Sequence, residues 1–207
     1  MANEVERADA EKVDEAMNHL KKGNIAEAES ILLDVCTRCP DDYQYEYLKD
    51  NSRYIKCWDV LEFTVYCAAH PDGGEKFVSW VLSAYPRACY YLAYVLIEKG
   101  DFQGAIPWLV KGQSMEPGNP KFLRESGVAY AHMKKHQQSL DCYQQAANLP
   151  GISRHEHALA LRGMGVQLID LRRLDEAETR LKESLELEAD NVNAKRELLY
   201  ISRLRQG

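Results

Sequence analysis

Apolar residues recur along this chain in short runs separated by glycine or polar pairs, a pattern that predicts helices joined in pairs by tight turns. Residues 93–117, "AYVLIEKGDFQGAIPWLVKGQSMEP", show the unit: an apolar run, a Gly-Asp break, a second apolar run and a proline exit. The same frame holds Leu92-Ala93, Leu96, Gly100-Asp101, Ala105, Leu109 and Pro117. It returns 34 residues later at Ser126-Gly127, Tyr130, Lys134-Lys135, Ser139 and Tyr143, and again 38 later at Met164-Gly165, Leu168, Arg172-Arg173, Ala177 and Leu181. An N-terminal copy reads Ala16, Gly23-Asn24, Ala28, Leu32 and Pro40. "YYLAYVLI" at 90–97 has strand-like composition, but its place in the frame makes it a helix buried on more than one face.

A small residue in each helix of a pair permits close packing, and the intervening glycine or polar pair turns the chain. In these features the sequence resembles the tetratricopeptide repeat family, whose pattern is W-x2-L-G-x2-Y, then A-x3-F, then P. The resemblance implies an all-α, right-handed solenoid of helical hairpins. It predicts one array over residues 1–207, with repeats at about 9–42, 55–88, 86–119, 120–153 and 158–191, and about eleven helices. The second repeat is degenerate: Trp58-x2-Leu61 fits the family start, but "AAHPDGGEK" reads as an irregular turn. Residues 192–206 read as a terminal capping helix with Ala194, Leu198 and Ile201 facing inward, of the kind a solenoid needs for solubility.

Composition narrows the function. The 207 residues are 28% charged and 45% hydrophobic, which is globular, and their net charge of −6 argues against general nucleic-acid binding. No apolar run is long enough to span a membrane. The acidic start "MANEVERADAEKVDEAMNHL" lacks the form of a signal peptide, so a cytoplasmic protein with reduced thiols is expected.

Catalytic and metal chemistry find little support, and no cofactor is expected. Lys111-Gly112 runs in the wrong order for a phosphate loop, and Gly163-Met-Gly165 lacks the third glycine of a dinucleotide loop. Cys36-Thr-Arg-Cys39 has the spacing of a redox pair or half a zinc site, but no second ligand pair follows, so packing thiols are expected. His155-Glu-His157 places its histidines about 200° apart on a helix, too far apart to share a metal, and reads as a polar loop or helix start.

The resemblance places the first helix of each hairpin on a concave groove. There the rows read Asp59, Tyr90, Arg124 and Arg162, then Phe63, Tyr94, Val128 and Val166, then Tyr66, Ile97, Ala131 and Ile169. Apolar rows beside arginines mark a protein or peptide site, with Phe63, Tyr66, Tyr90, Tyr94, Arg124, Val128, Arg162 and Val166 as candidate contacts. The alternative is that these rows pack on one another. The family's lysine–asparagine clamp for a peptide carboxylate falls at Val13 and Met17 and does not carry over. Residues 43–54, "YQYEYLKDNSRY", read as a helix extension or, if extended, as an added surface with Tyr43, Tyr45 and Tyr47 on one side. A non-catalytic binding scaffold or adaptor is expected, with a secretion-type chaperone cradling an unfolded segment as the alternative. Oligomeric state stays open.

Overall fold

The computed structural model describes residues 2–69 and 78–206. The chain divides into two compact units, Met1–Pro117 and Gly118–Gly207.

The first unit opens with α1 (Ala2–Lys21) and α2 (Ile25–Thr37), a hairpin turning through Gly23 at φ 79°. Ala10, Val13 and Ala16 of α1 face Ala28, Leu32, Val35 and Cys36 of α2, all fully buried. The hairpin stacks directly on α4 (Tyr85–Glu98), which pairs with α5 (Phe102–Met115). Pro86 fits the first turn of α4, where its missing amide costs nothing. Asp101 caps α5 by accepting from the Gly104 amide at 2.9 Å. The aromatic run at 90–97 is helical, with Leu92, Ala93, Val95 and Ile97 buried.

Between the two hairpins lies a β insertion where a helical repeat over 55–88 was expected. β1 (Glu46–Lys49) and β2 (Ser52–Cys57) form an antiparallel hairpin, and β3 (Val78–Leu82) joins β2 in parallel after α3 (Val60–Ala69). The sheet order is β1-β2-β3. Asp50 and Asn51, at φ 50° and 60°, supply the two left-handed residues that a tight hairpin turn requires. Trp58 and Leu61 mimic a repeat start but do not pack as one. Trp58 is buried just before α3, and Leu61 is 69% exposed. The helix extension expected over 43–54 is overturned by β1 and β2, whose Tyr47 and Tyr54 stack at 5.0 Å. The irregular turn expected at 68–76 lies, from residue 70 on, outside the described residues. The described helices number ten because this stretch supplies one helix rather than two.

Buried polar contacts hold the insertion to the hairpins. Trp58 Nε1 and Ser83 Oγ donate to Glu116 at 2.8 and 3.0 Å. Lys56 Nζ, almost fully buried, lies 2.8 Å from Glu6 of α1 and 3.9 Å over the Tyr43 ring.

The second unit contains α6 (Pro120–His132), α7 (His136–Ala147), α8 (Arg154–Asp170), α9 (Leu174–Leu187) and α10 (Val192–Leu204). Asn119, Ser153 and Asn191 cap α6, α8 and α10 through their side chains. Close helix contacts sit at the frame's glycines: a Cβ on Gly165 would stand 2.6 Å from Leu181. Where the first unit turns on glycine, Lys134 and Arg172 occupy left-handed backbone at φ 58° and 62°. α10 packs on α8 and α9 with Ala194 and Ile201 buried and Leu198 against the same core.

Candidate functional site

In the first unit the candidate surface is one face of α4. Tyr90 lies edge-on to Trp58 at 5.2 Å and to Tyr91 at 5.4 Å, so its ring is already braced. Tyr94, one turn on, is 42% exposed. Helical spacing puts both on one face.

Phe63 and Tyr66 do not join that row. Both lie on α3, which crosses between β2 and β3 rather than serving as the first helix of a repeat. Phe63 stacks on Trp80 at 6.4 Å. The Tyr66 hydroxyl donates to Glu46 at 3.2 Å and accepts from Arg53 at 3.4 Å, which ties α3 to the β1–β2 hairpin. Asp59, expected beside Tyr90, instead accepts from the Glu62 amide at 2.9 Å and starts α3.

In the second unit α6 and α8 pack together and carry the remaining candidates. Val166 is 37% exposed and Val128 is half-buried. Both arginines have internal partners. Arg124 Nε lies 2.8 Å from Glu156 in the first turn of α8. Arg162 donates to Glu188 at 2.6 Å, and the same carboxylate meets His155 Nδ1 at 2.6 Å. Hydrogen bonds from His155 and then Arg162 hold the Glu188 carboxyl below its usual range. Each of these candidate arginines therefore faces a carboxylate of its own chain.

The cysteine pair is split. Cys36 Sγ meets Cys89 Sγ of α4 at 3.6 Å, whereas Cys39 Sγ lies 3.4 Å from Met115 Sδ. The Cys89 contact and burial push the Cys36 thiol far up, and burial raises Cys39 to about 11. A redox nucleophile needs the opposite shift. All six cysteines are free. His155 and His157 lie in the first turn of α8. No described helix is long and apolar enough to cross a membrane. An open cleft of about 430 Å³ among α7, α8 and α9 is floored by Leu161 and Met164 and rimmed by Arg180 and Glu183.

Sequence reasoning missed the insertion and the buried Glu116 that anchors it. Asp50-Asn51 between runs rich in tyrosine and branched residues was the available signal for the hairpin. Glu116 carries no local signal, because its partners lie 33 and 58 residues away.

Residues 86–119 match the family model for the tetratricopeptide repeat. No curated protein matches the chain. Among solved structures, pilF of Pseudomonas aeruginosa is similar over the full chain, at 12% identity, 72% coverage of that chain and a TM-score of 0.68. The first such domain of human RPAP3 shares 25% identity over 57% of this chain and 90% of its own, with a TM-score of 0.53. The first such domain of Spaghetti (RPAP3), bound to an HSP90 peptide, shares 24% identity over 59% of this chain and 94% of its own, with a TM-score of 0.54.

Proposed function

We infer that this chain, a tetratricopeptide-repeat protein, is a non-catalytic scaffold that binds a protein or peptide segment on the first-helix faces of its hairpins. The observation that carries this reading lies within each unit by itself: Tyr94 stands on α4 of the first, and Val128 and Val166 on α6 and α8 of the second. Of these apolar side chains, Tyr94 and Val166 remain substantially exposed. The solved domain of Spaghetti bound to an HSP90 peptide supports peptide binding as the use of such a fold. The mode differs here, because Val13 and Met17 stand where a carboxylate clamp needs polar side chains. Within the second unit Arg124 and Arg162, each paired with a carboxylate, stand one turn before Val128 and Val166. Apolar contact therefore supplies the affinity, and an acidic group on the ligand gains only by displacing Glu156 or Glu188.

Affinity capture from the native cell followed by calorimetry tests this. Tyr94→Ala is expected to weaken binding by about 2 kcal/mol, the scale of an aromatic hot spot. Val166→Asp is expected to weaken it as well. Wild-type affinity in both variants would sink the reading. Recovery of one partner that is unstable alone would assign the chaperone role, and recovery of several folded partners the adaptor role.

A further inference from the structure

The two edges of the inserted sheet are built differently. β1 carries Glu46 and Lys49, and Glu46 is further tied to Arg53 at 3.3 Å. Such charge is how natural edge strands discourage pairing. β3, "VSWVL", has none, and no charged residue stands between Lys76 and Arg87. It is the opposite edge of the sheet among the described residues, with Trp80 at its centre 41% exposed.

Hydrogen bonding fixes which groups face outward. The Lys56 amide donates to Tyr45 O, so Lys56 faces β1 and its neighbours Ile55 and Cys57 face β3. The Ser83 amide accordingly donates to Cys57 O at 3.0 Å. Alternation along β3 then turns the amides and carbonyls of Val78, Trp80 and Leu82 away from β2, toward the open side.

We propose that this edge pairs with β3 of a second copy of the chain, antiparallel and centred on Trp80, to make one continuous sheet across a two-fold axis. The open groups specify the register. With Trp80 opposite Trp80 of the other copy, Val78 meets Leu82 and Leu82 meets Val78, so every outward group is matched with none left over. That gives about six inter-copy bonds, two for each hydrogen-bonded pair. A strand presented to itself must be self-complementary, and a neutral strand satisfies this without opposing like charges. The axis stands normal to the sheet, so α3 of both copies lies on the same face. There its exposed Val60, Leu61 and Val65 add apolar surface to an edge too short to hold a stable dimer alone.

The test uses the full chain. Sedimentation velocity should show a monomer–dimer equilibrium that shifts with concentration. Amide exchange at Val78, Trp80 and Leu82 should slow as the dimer fills, while exchange at Val81 stays constant. Trp80→Lys and Trp80→Glu should each be monomeric, since the register sets like charges face to face, and an equimolar mixture should recover a heterodimer. Because Trp80 also stacks on Phe63, the exchange of wild-type amides decides the matter if either variant misfolds. A wild-type protein that stays monomeric, edge amides indifferent to concentration, or a Trp80→Lys variant that dimerises like wild type would overturn the proposal. So would edge protection that arises only when a captured partner is added.

Discussion

The ring of Tyr143 on α7 lies where a side chain on Gly127 would have to go: a Cβ there would stand 2.8 Å from two of its carbons. The same ring leaves only 2.5 Å for a Cβ on Gly163 of α8. One tyrosine thus fills the space vacated by glycines on two helices, and Ser139 Oγ donates to Gly127 O at 2.7 Å beside it. Gly127→Leu is expected to cost about 1–3 kcal/mol by overpacking. A paired Tyr143→Ala should recover part of that loss, since the two changes share one space. Thermal melts of the single and double variants check this, and strict additivity would count against the contact.

Lys134 and Arg172 should each be improvable. Both sit in left-handed backbone at the turn between paired helices, where Gly23 and Gly100 stand in the first unit. For a residue with a Cβ that conformation costs roughly 1–2 kcal/mol, and glycine's greater freedom in the unfolded chain offsets about 0.5–1 kcal/mol of the relief. Lys134→Gly and Arg172→Gly are therefore expected to stabilise by about 0.5–1 kcal/mol each, read as a rise in Tm. Gly100→Ala should shift it the other way.

The helical hairpins were legible because their packing demands recur at a fixed interval, so small residues such as Gly127 and Gly165 appear in register. The insertion was misread because Trp58-x2-Leu61 satisfies the family spacing by coincidence. The Asp50-Asn51 turn and the charge-free "VSWVL" were better local evidence for strands. The candidate face divided along the same line: Tyr90 and Tyr94 stand on a repeat helix, whereas Phe63 and Tyr66 were assigned through a repeat that is not there. That Arg124 and Arg162 are already paired could not be read at all, since Glu156 and Glu188 reach them only through the packing of the folded unit.

Alkaline pH should destabilise the fold through two half-buried thiols. Burial holds Cys39 and Cys142 protonated up to about 11, above the ordinary thiol value of 9.0. Below that ordinary value both folded and unfolded chains keep the proton, and the contribution to stability is fully present. From pH 9 to about 11 the unfolded chain ionises first, so stability falls as pH rises through this window. Tm measured across that window should decline less steeply in Cys39→Ala and in Cys142→Ala than in wild type. Equal slopes in all three proteins would place the alkaline sensitivity elsewhere.

A nearly buried ion pair ties the insertion to α1. Lys56 of β2 and Glu6 of α1 are both more than nine-tenths buried, at 2.8 Å from each other. Removing one partner strands a charge in a nearly buried site, so Glu6→Leu or Lys56→Met alone should cost about 3–5 kcal/mol. Changing both removes two desolvation penalties together with their attraction, and packed apolar chains of similar volume are often neutral or stabilising in such places. The double variant is expected to lie within about 1 kcal/mol of wild type, well above either single. Chemical denaturation of the four proteins supplies the cycle, and amide exchange shows where the loss falls. If the pair anchors the sheet, the single variants lose protection first in β1 and β2, ahead of α4 and α5. Uniform loss across the unit, or a double variant as weak as the worse single, would show that the insertion is held by Trp58 and Glu116 instead.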